Sequence, residues 1–198
     1  INNSDTFADY MAECRAMGID ILPPDINLSE KYFSVADGKI VYGMVGIKNV
    51  GAGAVDEVLR ERAAGGKFVS FVDFAERIDP HSVNRKVIEM FIQSGLFDSL
   101  GEPRWRLYGN LDRALEYASR RRDGRIAGQV SLFEGLEDFA FAFEECEPWD
   151  DITCLAYERE NLGFYFSGHP LDSYRETWEN TSTLDLRRAA YADPGRVH

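Results

Sequence analysis

From Val41 to about the middle of the chain, apolar side chains recur at helical spacing in stretches separated by glycine, proline and aspartate. Val45 and Ile47 close a short apolar run, and the tight turn Lys48-Asn49-Val50-Gly51-Ala52-Gly53 follows. From Ala54 onward Val55, Val58 and Leu59 share one helical face, until Gly65-Gly66 ends it. Ser70 and Asp73 form an N-cap signature ahead of Phe71, Phe74, Ala75 and Ile78. After Asp79-Pro80 a longer helix carries Val83, Val87, Ile88, Phe91 and Ile92 to a stop at Ser94-Gly95. Trp105, Tyr108, Leu111, Leu115 and Ala118 predict one further helix, and Phe7, Tyr10, Met11, Cys14 and Met17 predict one at the start. The layout is helix or turn, glycine turn, helix, with a looser second version around Ser94 to Asp98.

The first turn has the chemistry of an anion site. Glycine permits positive φ and lets a backbone come close to a ligand, while the unpaired N–H groups and positive dipole end of a new helix favour negative charge. Lys48 adds a cation beside them. A dinucleotide-binding loop is excluded, because its third glycine falls at Asp56, where a carboxylate would oppose a pyrophosphate. A helix start that needs glycine only to turn has the same spacing, so the two readings stand side by side.

From Asp123 to about Asp151 the helical period disappears, Gly124, Gly128 and Gly135 enter, and acids accumulate, which predicts a flexible connector. Within it Gln129-Val130-Ser131-Leu132-Phe133 places two apolar side chains behind a glutamine. Such a peptide suits a pocket on another protein, and equally suits pinning the connector back onto its own domain. Phe139, Phe141 and Phe143 alternate like a short strand or an anchoring segment, and are read as packing. Arg106, Arg113, Arg120, Arg121 and Arg122 occupy outer positions of the preceding helix. The last three read as a solvated C-terminal end, with nucleic-acid contact as the alternative.

Charge sharpens this picture. The formal net charge is -12, which argues against a generic DNA coat, but its distribution is uneven. Residues 60 to 125 hold 13 Lys and Arg against 10 Asp and Glu, a net +3, whereas residues 134 to 160 hold Arg159 against ten acids, a net -9. Any nucleic-acid affinity should therefore come from backbone N–H groups as much as from Coulomb attraction. Cys14, Cys146 and Cys154 form no Cys-x-x-Cys pair, so they read as ordinary thiols in a reducing cytoplasm. His81, His169 and His198 are scattered and read as structural. A chain of 198 residues with 44% hydrophobic side chains can bury a sizeable core. No signal peptide or membrane-length apolar run is present, and a helical pattern under way from the first residues suggests a piece of something longer.

Taken in order, several stretches resemble the alpha subunits of bacterial DNA polymerase III. They are Tyr10-Met11-Ala12-Glu13-Cys14-Arg15 to Gly18, Leu22-Pro23-Pro24-Asp25-Ile26-Asn27, Gly46-Ile47-Lys48-Asn49-Val50-Gly51-Ala52-Gly53-Ala54-Val55, and Gly163-Phe164-Tyr165-Phe166-Ser167-Gly168-His169-Pro170-Leu171-Asp172. The resemblance implies a mainly α fold with a small β-hairpin. Residues 1–36 would finish a fingers domain, 37–122 form a tandem helix-hairpin-helix region, 123–152 an acidic linker with a clamp-binding peptide, and 153–198 C-terminal helices leading toward an OB fold. It implies that Val50, Gly51, Ala52 and Gly53, with Lys48, meet the backbone of double-stranded DNA. Gln129, Ser131, Leu132 and Phe133 would enter a sliding clamp, the beta subunit, with Val130 in place of the commoner leucine weakening that contact slightly. The second turn carries Phe97 where another glycine would sit, so it reads as a packing copy.

Polymerisation in that family needs palm carboxylates that hold two metal ions, and no Asp-x-Asp cluster occurs here. Asp150-Asp151 read instead as a helix N-terminal pair. The span is thus expected to be catalytically silent, with no cofactor of its own, although the resemblance implies a magnesium-dependent nucleotidyltransferase as parent. Implied partners are the duplex, the clamp and the rest of a cytoplasmic holoenzyme. A protein-interaction module without DNA binding, supported by the acidic charge, and a lesion-bypass relative are the alternatives.

Overall fold

The computed structural model describes residues 10, 11, 13, 14, 16–126 and 141–172. The peptide residues Gln129, Ser131, Leu132 and Phe133, Phe139, and the expected lead-in to an OB fold beyond residue 172 lie outside the described residues. Residues 10, 11, 13, 14 and 16 are helical, as the spacing at the start of the chain predicts, and a small three-stranded sheet follows, with β1 (Ile21–Leu22), β2 (Ser34–Ala36) and β3 (Lys39–Val41) in the order β1-β3-β2. Asp37 and Gly38 both take positive φ, 51° and 75°, between the paired Ala36 and Lys39. Such a two-residue turn matches the twist of antiparallel strands and sets the hairpin register. The parallel strand β1, with Ile21 opposite Ile40, joins by a longer connection and carries no local sequence signal.

Helices follow as α1 (Ala52–Gly65), α2 (Phe71–Arg77), α3 (Arg85–Gln93), α4 (Arg104–Gly109), α5 (Leu111–Ile126) and α6 (Asp151–Leu162), with single 3-10 turns at Met44–Gly46 and Asp98–Leu100. Ser70, Asn84 and Asp150 cap α2, α3 and α6 by accepting from the amides of Asp73, Val87 and Thr153. The Thr153 hydroxyl and amide hold the Asp150 carboxyl below its ordinary pKa.

Every residue of α3 from Val87 to Gln93 is buried, so this helix runs through the centre of the core. Around it Phe97 meets the rings of Phe74 and Phe71 at 4.8 and 5.1 Å, and Phe68 meets Phe74 at 5.3 Å, all edge to face. The core also crosses the boundary expected at residue 36. Ile26 is fully buried in it and donates its amide to the Leu96 carbonyl at 2.8 Å, and Asn27 exchanges two hydrogen bonds with the Phe68 backbone. No helix among the described residues is long and apolar enough to cross a membrane.

Tertiary contacts change several sequence expectations. The single helix expected through Trp105 and Ala118 is broken at Asn110, which is fully buried. Its side-chain amide pairs with the backbone of Glu144 in both directions, at 2.8 and 3.1 Å, and a Cβ on Gly109 would sit 2.5 Å from the Cys146 sulfur. The chain returning after the connector therefore sets the break. Residues 141–150, expected within the connector, lie against α4 and α5: Phe141 meets Tyr117 at 5.5 Å, Trp149 meets Tyr108 at 5.4 Å, and Arg106 and Arg113 pair with Glu145 and Glu144. Phe141 and Phe143 pack on the core as their alternation suggests. Residues 123–126, placed in the connector by loss of period, continue α5. Arg121 and Arg122 are not a solvated end either. Arg121 pairs with Glu76, and Arg122 donates to the carbonyls of Ala75 and Ile78, closing the C-terminal end of α2. Arg120 alone of the three stays on the surface, against Glu116.

Candidate nucleic-acid interface

The first glycine turn is built on two buried anchors. Ile47 and Val50 are 1% and 9% exposed, and the Val50 amide donates to the Ile47 carbonyl, so the intervening Lys48 and Asn49 are pushed outward. Val50 thus has neither an exposed side chain nor a free amide to offer a phosphate, and serves as an anchor of the turn. The positive φ expected at the glycines falls instead on Asn49, at 63°, a residue whose short polar side chain tolerates that region. Gly51 is extended at φ -77° and ψ 150°, and Gly53 is helical.

Neither glycine is required by this chain's own structure. A Cβ added at Gly51 or Gly53 would meet nothing within 4 Å, and both residues are exposed with Ala52 between them. Glycine inside a helix nevertheless costs about 0.5–1 kcal/mol relative to alanine. Contrast Gly43 and Gly46, where a Cβ would come within 2.3 Å of the Tyr32 backbone and 2.7 Å of the Tyr42 ring. There the fold itself demands glycine; at Gly51 and Gly53 the bare backbone faces solvent.

The start of α1 is also unlike that of the side-chain-capped α2, α3 and α6. Gly51 supplies no capping side chain, and no acid stands in the first turn, so the Ala52 and Gly53 amides point outward at the positive end of the dipole. Asp56, one turn on, is held by Lys31 at 2.7 Å. Lys48 lies 3.7 Å from Glu160, both more than half exposed, a pair too solvated to hold either side chain firmly. Behind the turn, the Lys48 amide donates to the Asn161 carbonyl at 2.8 Å. The Tyr42 hydroxyl lies 2.9 Å from the Gly46 carbonyl and 3.1 Å from that of Leu162. Burial pushes the Tyr42 hydroxyl well above the ordinary phenol range, so it remains a donor.

The second turn, Ser94 to Asp98, is differently made. Gly95 takes φ 80°, and a Cβ there would lie 2.3 Å from the Arg104 guanidinium. Phe97 is 1% exposed in the aromatic core. Arg104 pairs with Asp98 at 2.6 Å and with the fully buried Glu158 at 2.9 Å, and Glu158 also accepts the amides of Phe166 and Ser167 at 2.7 and 2.9 Å. Burial opposes the Arg104 charge, but the bonds and charges of Asp98 and Glu158 outweigh it and raise its pKa. This turn is covered by its own ion pairs. The Gly163 to Asp172 stretch that carries the family resemblance ends this network, a role its sequence does not disclose. Among the described residues no group of His, Cys, Asp or Glu is arranged to hold a metal ion.

Two turns that each join short helical segments, built on one core, define a helix-hairpin-helix protein, and residues 18–107 match the family model described as "Helix-hairpin-helix motif". The chain is 42% identical over 191 residues to DNA polymerase III subunit alpha of Borreliella burgdorferi, covering 94% of this chain and 17% of that protein. It is 39% identical to the protein of that name from Thermus aquaticus, over 87% of this chain and 14% of the relative. The Escherichia coli K12 protein is 38% identical, over 88% of this chain and 15% of the relative. The chain belongs to the DNA polymerase III alpha subunits, as a match to a fragment of them. It spans less than a fifth of their length.

Proposed function

We propose that this chain is a non-catalytic segment of a replicative DNA-directed DNA polymerase that holds the duplex backbone through Lys48, Gly51, Ala52 and Gly53 and a sliding clamp through Gln129, Ser131, Leu132 and Phe133. The observation that carries the DNA half is the open start of α1, with two glycines that its own fold does not need and amides no side chain caps. A phosphate oxygen can accept from the Ala52 and Gly53 amides, with no Cβ at Gly51 or Gly53 to keep it away. Lys48 exchanges Glu160 for a second phosphate oxygen. Such contacts read no base edge, which suits a protein that passes over every sequence. The clamp half rests on the peptide's residues. A five-residue contact is far smaller than the roughly 1,200 Å² of the smallest stable interfaces, so it acts by raising effective concentration together with DNA, a gain of about 10² to 10⁴. Magnesium chemistry belongs, on this reading, to the palm of the parent polymerase.

Two titrations test it. A labelled duplex should bind this chain with log K falling against log salt at a slope of roughly -1, the value for the one phosphate that Lys48 neutralises. Duplex binding absent at low salt would leave only the protein-interaction reading, which the -12 charge favours. In the second titration a sliding clamp should bind the intact chain and lose binding to a variant with Gln129→Ala, Leu132→Ala and Phe133→Ala. Equal binding by both would end the clamp assignment.

A further inference from the structure

The end of α6 reaches the first turn from outside the 18–107 span matched by the helix-hairpin-helix model. Three ties converge there. The Asn161 carbonyl accepts the Lys48 amide at 2.8 Å, immediately before the positive-φ residue Asn49. The Tyr42 hydroxyl has one proton to share between Gly46 and Leu162, and so joins the turn to the helix end, at 2.9 and 3.1 Å. The Asn161 side chain, 2% exposed, donates to Gln93 of the central helix α3 at 3.1 Å. From the same helix Glu158 pairs with Arg104 under the second turn. α6 therefore touches both turns, the first through the carbonyls of Asn161 and Leu162 and through Glu160 beside Lys48, the second through Glu158.

We propose that the C-terminal turn of α6 positions the DNA-contacting turn, with Tyr42 and Asn161 as positioning residues that never touch the duplex. This rests on the DNA reading above. Phosphate contact through amides depends on where the backbone lies, because N–H···O bonds weaken steeply outside about 2.7–3.2 Å and below about 120°. A turn fixed only by Ile47 and Val50 could rock about those anchors. The α6 carbonyls, held on α3 and α4 by buried polar ties, remove that freedom. Pre-positioning lowers the ordering cost of binding without adding a contact.

The test is anisotropy of a labelled duplex against the full 198-residue chain over a salt series, with Tyr42→Phe, Asn161→Ala and Lys48→Ala beside the unchanged protein. Tyr42→Phe keeps the ring and removes only the hydroxyl. Asn161→Ala removes the tie to Gln93 but keeps the carbonyl that Lys48 uses. Both should bind about three- to tenfold more weakly, the size of one net hydrogen bond, with an unchanged salt slope. Lys48→Ala should lower the slope by about one. Hydrogen exchange at the Lys48 amide should quicken in both positioning variants while α3 stays protected. Duplex affinity unchanged in both, even with a lower melting temperature, would make the ties merely structural and overturn the proposal. So would a slope that falls as it does for Lys48→Ala, since that marks direct phosphate contact. If the unchanged protein fails to bind, the DNA reading itself has failed.

Discussion

Gly53→Ala separates what the fold wants from what the ligand wants. Gly53 is helical, exposed and followed by no atom that a Cβ would meet within 4 Å. Alanine should therefore stabilise the free protein, by about 0.5–1 kcal/mol, because it loses less backbone freedom in a helix. At this chain length that is a rise in melting temperature of about 1–4 °C. Duplex affinity should move the other way. A methyl group beside the outward amides keeps a phosphate oxygen from its bonding distance, and a hydrogen bond to a charged group is worth about 1.5–3 kcal/mol, a loss of tenfold or more. Thermal melts of the free chain and duplex titrations at one salt concentration give both signs. Affinity that stays level or improves as stability rises would refute the argument, because the glycine would then serve nothing outside the chain. A fall in melting temperature would refute the claim that the site is open.

Breaking the buried ion pair should cost much more. Glu158→Ala takes one of two carboxylates from Arg104, which keeps Asp98, and leaves the Phe166 and Ser167 amides without their acceptor; it should destabilise by about 2–3 kcal/mol, read as a lowered urea midpoint, and a change below about 1 kcal/mol would mean the network is dispensable. Asp79, Asp112 and Asp150 have pKa values lowered from 3.8, by a bond from the His81 amide, by Arg85 and by Thr153 respectively. A depressed carboxyl adds stability that is present above its unfolded value and lost as pH falls through the folded one. Melting temperature should thus be flat between pH 7 and about 5 from these groups and decline below about pH 4, with Asp112→Asn and Asp150→Asn reducing the acid-side slope.

What could be read from the sequence was what adjacent residues decide. The Ser70 cap, the stop at Gly95, the start of α1 and the anchoring phenylalanines Phe141 and Phe143 each follow from a few neighbouring side chains. What could not be read was decided by residues far along the chain. The apolar period from Trp105 to Ala118 is unbroken in sequence, and only the return of Glu144 and Cys146 shows why Asn110 interrupts it. Arg122 looks like any cation at a helix end until α2 offers it two carbonyls. The candidate turn was legible by position, yet its geometry was not: Asn49, not a glycine, carries the left-handed residue, and the support from Asn161 lies more than a hundred residues away.

The return of residues 141–150 onto α5 bears on how force would enter the molecule. Chain leaves that helix at Ile126 and comes back to it at Tyr117, where Phe141 packs, and at Asn110, where Glu144 is held. A partner gripping any residue between 127 and 140 therefore tugs on one helix from two ends, and the strain closes on itself within α5. The contacts at Tyr117 and Asn110 stand between such a grip and α6, from which the turn at Lys48 is hung.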